Sequence, residues 1–364
     1  MGLSEPKSYH ALPLFGSSLE ALALPDEDRR KVVAGLVRHA GAEGFAPGEL
    51  AKQAAIAPHQ EAIVVLVLMI WIGGPLVWSF GGLAALALGS WRLRLGVVAL
   101  SAVLMFHPMP GPGFQKWLYT SRFTLWLYKY FSYRFVWCDE DYELAGVAPA
   151  WIGAGPPHGV LPIANVLSIP AINTFGFRHF KGAPASVVFN TPFLRYLTLF
   201  ECVSVDGKSI TKEIQSGTCV GIVPDGVAGI FRMHDAPKGE FVALKNKKGL
   251  SRLALRTGTP VLPAYSFGNT QIMSCWYDNF GILEGISRRL QASIFVYWGR
   301  WGLPIPRRAQ ITMVVGRLIE VEKVESPTDK QIDELHARIL DEMRAHFDRH
   351  KAALGWGDRE IQFV

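Results

Sequence analysis

His158, in the run Gly155-Pro156-Pro157-His158-Gly159-Val160-Leu161-Pro162, is the side chain in this sequence best placed to do chemistry. Prolines on one side and a glycine on the other predict a stiff, open turn. An imidazole there, with an ordinary pKa of about 6.5, can take a proton from an alcohol near neutral pH. A histidine that merely hydrogen-bonds within its loop is the competing reading. Three later blocks carry further polar groups: Ser204-Val205-Asp206-Gly207-Lys208, Val223-Pro224-Asp225-Gly226-Val227 and Gly258-Thr259-Pro260-Val261-Leu262-Pro263. They offer, in turn, a carboxylate with a cation, a carboxylate on a Pro/Gly turn, and an apolar strand to wall a pocket.

Other chemistries find little support. Gly207-Lys208-Ser209 invites a phosphate-loop reading, but Cys202 stands where the first glycine of that motif belongs. No Gly-x-Ser-x-Gly is present, so a serine hydrolase lacks its nucleophile elbow. His346 and His350 share a helical spacing without the intervening glutamate of a zinc protease, and they read as solvated. No metal and no resident cofactor are expected. Cys138, Cys202, Cys219 and Cys275 form no Cys-x-x-Cys pair and read as reduced, buried thiols. The formal charge of +6 comes from Lys and Arg dispersed among aromatics, a pattern that favours an anionic lipid surface or a phosphate-bearing ligand over nucleic acid.

The elements that must position these residues begin with a membrane signal. Ala62–Trp91 carries no charged residue, and about 20 apolar residues suffice to cross a hydrocarbon core. Gly73-Gly74-Pro75 should kink or break that stretch. Leu95–Phe106 follows as a second, shorter apolar run, so a membrane-embedded hairpin or two short crossings is expected over 61–110. Arg29, Arg30, Lys31 and Arg38 before it, with Lys116, Arg122 and Lys129 after it, put both ends on the cytosolic side. Residues 1–60 read as a cytosolic tail. Eleven aromatics between Phe114 and Trp137, interleaved with cations, predict interfacial helices over 111–141, with an aromatic core element as the alternative.

From about 142 to 364 the texture is α/β. Ser186–Phe189, 217–223, 260–265 and 311–316 read as buried strands, with helices over 190–200, 208–216 and 245–257 between them. That alternation predicts a mainly parallel sheet flanked by helices, with working groups on loops at strand ends. Thr328 and Gln331 make a capping box for a final amphipathic helix through about His350.

The order of blocks after the membrane segment resembles the glycerolipid acyltransferases and, more closely, the type-2 diacylglycerol acyltransferase family, from about Ala62 to Val364. Pro156-Pro157-His158-Gly159 stands where that family shows His-Pro-His-Gly or Glu-Pro-His-Ser. Lys245-Asn246-Lys247-Lys248-Gly249-Leu250, Tyr265-Ser266-Phe267-Gly268-Asn269 and Gly299-Arg300-Trp301-Gly302 match its later blocks in order. Two departures stand out. Pro156 cannot serve as acid or base, and the glutamate of the family's Pro-Gly-Gly-x-x-Glu block is Gly229 here, while an aspartate appears at 225. Ile163 likewise replaces the aspartate of the wider His-x-x-x-x-Asp pattern.

The resemblance implies a glycerolipid-acyltransferase-like fold behind the membrane hairpin. It also implies an endoplasmic reticulum enzyme that moves a fatty acyl group from acyl-coenzyme A, its co-substrate, to diacylglycerol, with membrane lipids as further partners and a homo-oligomer left open. On that reading His158 is the general base, and Gly159 and the following amides approach the oxyanion. Asp225 is the first candidate to orient the ring through its other nitrogen, with Asp206 and Glu201 behind it. Lys245, Lys247, Lys248 and Arg256 are candidates for the coenzyme phosphates, with Asn165 and Lys208 also assigned to substrate binding. Arg300 is a candidate for phosphates or lipid headgroups. Monoacylglycerol, a long-chain alcohol or a lysolipid are alternative acceptors, and a non-catalytic lipid-binding scaffold is the rival from another class.

Overall fold

The computed structural model describes residues 7–15, 21, 24–138, 150–176, 178–231, 239–276, 280–290 and 296–364. The boundary expected at 141/142 therefore lies outside the described residues.

Eight strands build the central sheet: β1 (Ser8–Pro13), β2 (Arg38–Gly41), β3 (Arg134–Cys138), β4 (Ile152–Ala154), β5 (Phe180–Gly182), β6 (Cys219–Ile222), β8 (Val261–Phe267) and β11 (Thr312–Val315). Their spatial order is β2-β1-β3-β11-β8-β4-β6-β5. Strands β8, β4, β6 and β5 run parallel to one another. Strand β11 turns against β8 and pairs parallel with β3, and β1 is antiparallel to both its neighbours. The expected parallel arrangement is present in β8-β4-β6-β5 and in the β3-β11 pair, and β1, β2 and β11 add three antiparallel pairings to the sheet. Two small pairs lie outside it: β7 (Gly239–Val242) with β12 (Glu360–Phe363), and β9 (Ser274–Cys275) with β10 (Tyr297–Trp298).

Alternate residues of the strands feed two apolar layers, as the two-residue side-chain period requires. Phe135, Leu262, Ala264, Met313 and Val315 face one layer; Val136, Tyr265, Phe267 and Val314 face the other. The first layer is closed by the Ile163–Thr174 helix and the start of the Pro58–Leu88 helix, the second by the Gly249–Thr257 and Asp329–His350 helices. The last helix starts at the expected capping box, where Thr328 accepts from Gln331 N. Its His346 and His350 are buried, not solvated, because the stripe through Ile339, Met343 and Phe347 carries both rings into the sheet-facing layer.

Several local expectations give way to tertiary context. The described residues before 60 are not a tail apart from the fold: Tyr9, Ala11, Leu12 and Leu14 are buried, and β1 sits inside the sheet between β2 and β3. The Pro58–Leu88 helix runs unbroken through Gly73-Gly74-Pro75, where the expectation was a kink or break; Pro304 and Phe193 lie so close to positions 73 and 74 that a side chain there would collide with them. Ser186–Asn190 is a short 3-10 helix in place of the expected strand, and 190–200 shortens to a 3-10 turn at Leu194–Leu199. The helix expected from 245 begins at Gly249. Of the aromatics in 114–137, Phe114 and Trp117 are exposed, whereas Tyr119, Tyr128, Tyr130, Phe131, Tyr133, Phe135 and Trp137 are buried. The alternative reading of a core element thus describes most of that segment.

Candidate active site

The site forms where three neighbouring parallel strands end on one edge of the sheet, the place where open α/β sheets put their working loops. Strand β4 runs out through Gly155 to His158, β6 through Val223 and Pro224 to Asp225, and β8 through Gly268 to Asn269. Gly155 N donates to Ile222 O (3.1 Å) and Ser266 N to Pro156 O (2.8 Å), so the loop before the histidine is tied to both flanking strands. Asn165 Nδ2 donates to Gly155 O (2.9 Å), which makes Asn165 a brace for this loop.

The half-buried His158 ring places Nδ1 2.9 Å from Gly159 O. A carbonyl oxygen only accepts, so Nδ1 carries the proton and Nε2 keeps its lone pair. Burial pushes the imidazole below its ordinary pKa, and the Asp225 charge opposes that shift. The ring is therefore neutral at pH 7, in the tautomer of a base. The fully buried Asp225 accepts from the backbone N of His158 at 2.9 Å. It does not reach the far ring nitrogen, which corrects the expected orienting role: the sequence order could not reveal which atom of His158 the carboxylate meets. Burial also raises the Asp225 pKa, with His158 opposing. Its second oxygen, Oδ1, is buried without a hydrogen-bond partner among the described residues.

Gly229 explains the missing family glutamate. A Cβ at 229 would lie 2.1 Å from Asp225 Oδ2, so the aspartate occupies the space where a side chain at 229 would begin. Gly159 adopts φ +60°, and a Cβ there would meet Asn269 Nδ2 at 2.8 Å. No acceptor for the amides of Gly159 and Val160 is present among the described residues.

Asn269 is a candidate site residue that the sequence did not single out, although its block stood out. Its Nδ2 lies 3.1, 2.8 and 3.2 Å from the carbonyls of Pro157, His158 and Leu161, and its Oδ1 accepts from Ala164 N at 3.1 Å. One amide thus clamps the whole histidine turn. A buried asparagine after a strand was the available signal.

Of the cations, only Lys247 joins this cluster, donating through Nζ to Asp225 O. Lys248 pairs with Asp333 at 2.5 Å; Lys208, Lys245 and Arg256 are exposed. Arg300 pairs with Glu61 at the start of the apolar helix and lies over the Trp301 ring. The two reserve carboxylates have other work: Asp206 caps the Gly207–Gln215 helix through Ser209 N (2.9 Å), and Glu201 pairs with His179 (2.9 Å). A cavity of about 530 Å³, bordered by Gln53, Gln271, Arg307, Arg308 and Trp356, is not lined by His158.

The cattle diacylglycerol O-acyltransferase 2-like protein 6 is 27% identical over 73% of this chain and 85% of its own length. The mouse diacylglycerol O-acyltransferase 2 is 31% identical over 56% of this chain and 58% of its own. The human acyl-CoA wax alcohol acyltransferase 2 is 30% identical over 48% and 57% respectively. Among solved structures, the 1-acyl-sn-glycerophosphate acyltransferase of Thermotoga maritima aligns with a TM-score of 0.36 at 15% identity, covering 78% of this chain and 98% of that one. Residues 89–363, which hold the histidine turn, its aspartate and its asparagine clamp, match the diacylglycerol acyltransferase family, and the chain belongs to that family.

Proposed function

We propose that this protein transfers a fatty acyl group from acyl-coenzyme A to the free hydroxyl of diacylglycerol, releasing triacylglycerol and coenzyme A. The observation that carries the reading is the His158 ring, with Nδ1–H committed to Gly159 O. That leaves Nε2 to accept the alcohol proton as the hydroxyl oxygen attacks the thioester carbonyl carbon, the work of a general base. The tetrahedral oxyanion is met by the amides of Gly159 and Val160, which make no other described hydrogen bond. As the carbon–sulfur bond breaks, the imidazolium returns its proton to the leaving thiolate. Lys247 braces Asp225, and the exposed Lys245 and Arg256 attract the coenzyme phosphates.

Membrane residence follows from the acceptor. The Pro58–Leu88 helix is long and apolar enough to cross a membrane. After Gly89 and Ser90 the Trp91–Phe106 helix returns, with its end held by Arg195 on Leu104 O and His107 O (3.3 and 3.1 Å). These helices carry Val77, Phe80, Leu83, Leu95, Val98 and Val103 exposed, a surface suited to lipid. We read them as a hairpin set in the endoplasmic reticulum membrane, with the catalytic domain in the cytosol.

A long-chain alcohol is the second acceptor to consider, favoured by the likeness to the wax alcohol acyltransferase. The test is a panel of diacylglycerol, monoacylglycerol, long-chain alcohol and lysolipid with labelled acyl-coenzyme A, run on the membrane-reconstituted chain. Preference for diacylglycerol supports the reading; preference for another alcohol moves the acceptor; transfer to none of them overturns it.

A further inference from the structure

The apolar surface of the Pro58–Leu88 helix does not stop where the helix meets the folded domain. Its first half is half covered: Val64, Leu68, Ile72 and Gly73 are buried against the domain, while Ile63, Leu66, Met69 and Ile70 remain exposed. The domain element that runs alongside is the β9–β10 ribbon with the turn that follows it. Arg300 pairs with Glu61, Tyr297 Oη donates to Ile72 O (2.5 Å), and Pro304 packs at Gly73. From Glu61 to Gly73 the helix rises about 18 Å, at 1.5 Å per residue. The turn is therefore level with the exposed apolar residues of the helix.

That neighbouring element is itself apolar and open. Trp276, Val296, Trp301 and Leu303 are exposed, and Phe280, at 86%, is more exposed than all of them. Trp276 N donates to Val296 O (2.8 Å), and Gly299 N to Leu303 O (2.7 Å), which hold Trp276, Val296 and Leu303 on one ribbon and its turn. The backbone of Trp301 takes φ +56°, a left-handed conformation that a bulky residue adopts only at a cost. Its ring nevertheless stands 67% exposed, with the Arg300 guanidinium 4.2 Å from its centroid. A strained turn that presents a tryptophan beside a neutralised arginine suits the headgroup boundary, where amphipathic rings settle. Ile282 and Ile286, one helical turn apart, are exposed on the Ile282–Leu290 helix, which lies between β9 and β10 in the chain.

We propose that the β9–β10 ribbon and the Gly299–Ile305 turn form a second membrane-contact face, dipping Trp301 and Leu303 into the bilayer boundary beside the apolar helix. The inference rests on the membrane reading above and extends it from the helices to the catalytic domain. It also sets the active site near the lipid, because Asn269, the clamp on His158, begins the short turn that leads into β9.

The experiment uses the full chain in phosphatidylcholine proteoliposomes, carrying an environment-sensitive fluorophore on one introduced cysteine: Leu303→Cys, Val77→Cys or Lys208→Cys. Signal from the unsubstituted chain is subtracted. Doxyl-labelled lipid and aqueous iodide are the two quenchers. Emission from position 303 should be lost to doxyl lipid and spared by iodide, as at 77, with the reverse at 208. Iodide quenching at 303 with lipid quenching at 77 overturns this inference and leaves the membrane helices standing. Iodide quenching at both positions overturns the two together. Shielding of 303 from both quenchers, the mark of a second copy on this face, overturns it equally. None of these readings depends on acyl transfer, so the fate of the catalytic proposal stays separate.

Discussion

Asp225 holds the backbone amide of His158 at 2.9 Å, and the imidazole turns instead to the carbonyl of its own neighbour, Gly159. The carboxylate fixes where the turn sits, and the turn fixes which ring nitrogen faces outward. Charge reaches the ring through space, since Asp225 opposes the drop that burial imposes on the His158 pKa.

His158→Ala removes the proposed base while leaving Asn269 and Asp225 their backbone contacts. Turnover should fall about a hundredfold to ten-thousandfold, the usual weight of general-base catalysis. Thermal unfolding of the variant should stay close to that of the parent. Near-parental turnover in well-folded protein would falsify the assignment.

Asp225→Asn keeps an oxygen that can accept from the His158 amide but removes the charge. Because that charge raises the His158 pKa, its loss moves the acid limb of the rate profile to lower pH, with turnover at neutral pH largely kept. Asp225→Ala strips the amide of its partner and should cost about 1–3 kcal/mol of stability. A collapse of kcat in the asparagine variant with an unmoved acid limb would instead indicate ring orientation by the carboxylate.

Asn269→Asp tests the clamp, since a carboxylate cannot donate to the carbonyls of Pro157, His158 and Leu161. We expect lower stability, by about 1–3 kcal/mol for the buried groups left unmatched, together with loss of kcat. Gly159→Ala should do likewise, because its Cβ would meet the same Asn269 amide at a positive φ. Denaturant melts paired with rates check both; unchanged melts in the two variants would remove the clamp from the account.

Acid should loosen the fold through His350, whose pKa burial depresses to about 3, with the neighbouring His346 and Arg349 adding to the effect. The unfolded chain takes up that proton near pH 6.5, the folded chain only near pH 3. The group's contribution is thus present above about pH 6.5 and is lost as pH falls toward about 3. Melts at pH 7 and pH 5 should differ less in His350→Phe than in the parent. An equal difference in both would clear His350 of the role.

Much of the fold was legible wherever a local pattern matched its surroundings. The Thr328–Gln331 box opened the last helix, the uncharged run from Ala62 marked the long apolar helix, and three of the four expected strands appear within a few residues of their places. Ser186–Phe189 failed because three apolar residues in a row suit a strand or a tight helical turn equally, and the choice belongs to what packs on them. The aromatics of 114–137 failed for the same reason: composition shows that rings are present, but not which face a ring turns inward.

By itself the sequence determined the kinds of groups at work: one histidine bracketed by proline and glycine, a carboxylate after a strand, and an uncharged stretch too long for most soluble helices. Those are properties of residue type and spacing along the chain, which local physics reads directly. Only the tertiary structure decided that β4, β6 and β8 end side by side and bring His158, Asp225 and Asn269 together across more than a hundred residues of chain. It alone decided which atom of His158 meets the carboxylate, that Asp225 fills the space beside Gly229, and that β1 and β2 extend the sheet. Such contacts depend on strand order and side-chain direction, which are fixed by packing among distant segments and leave no mark in the spacing of neighbouring residues.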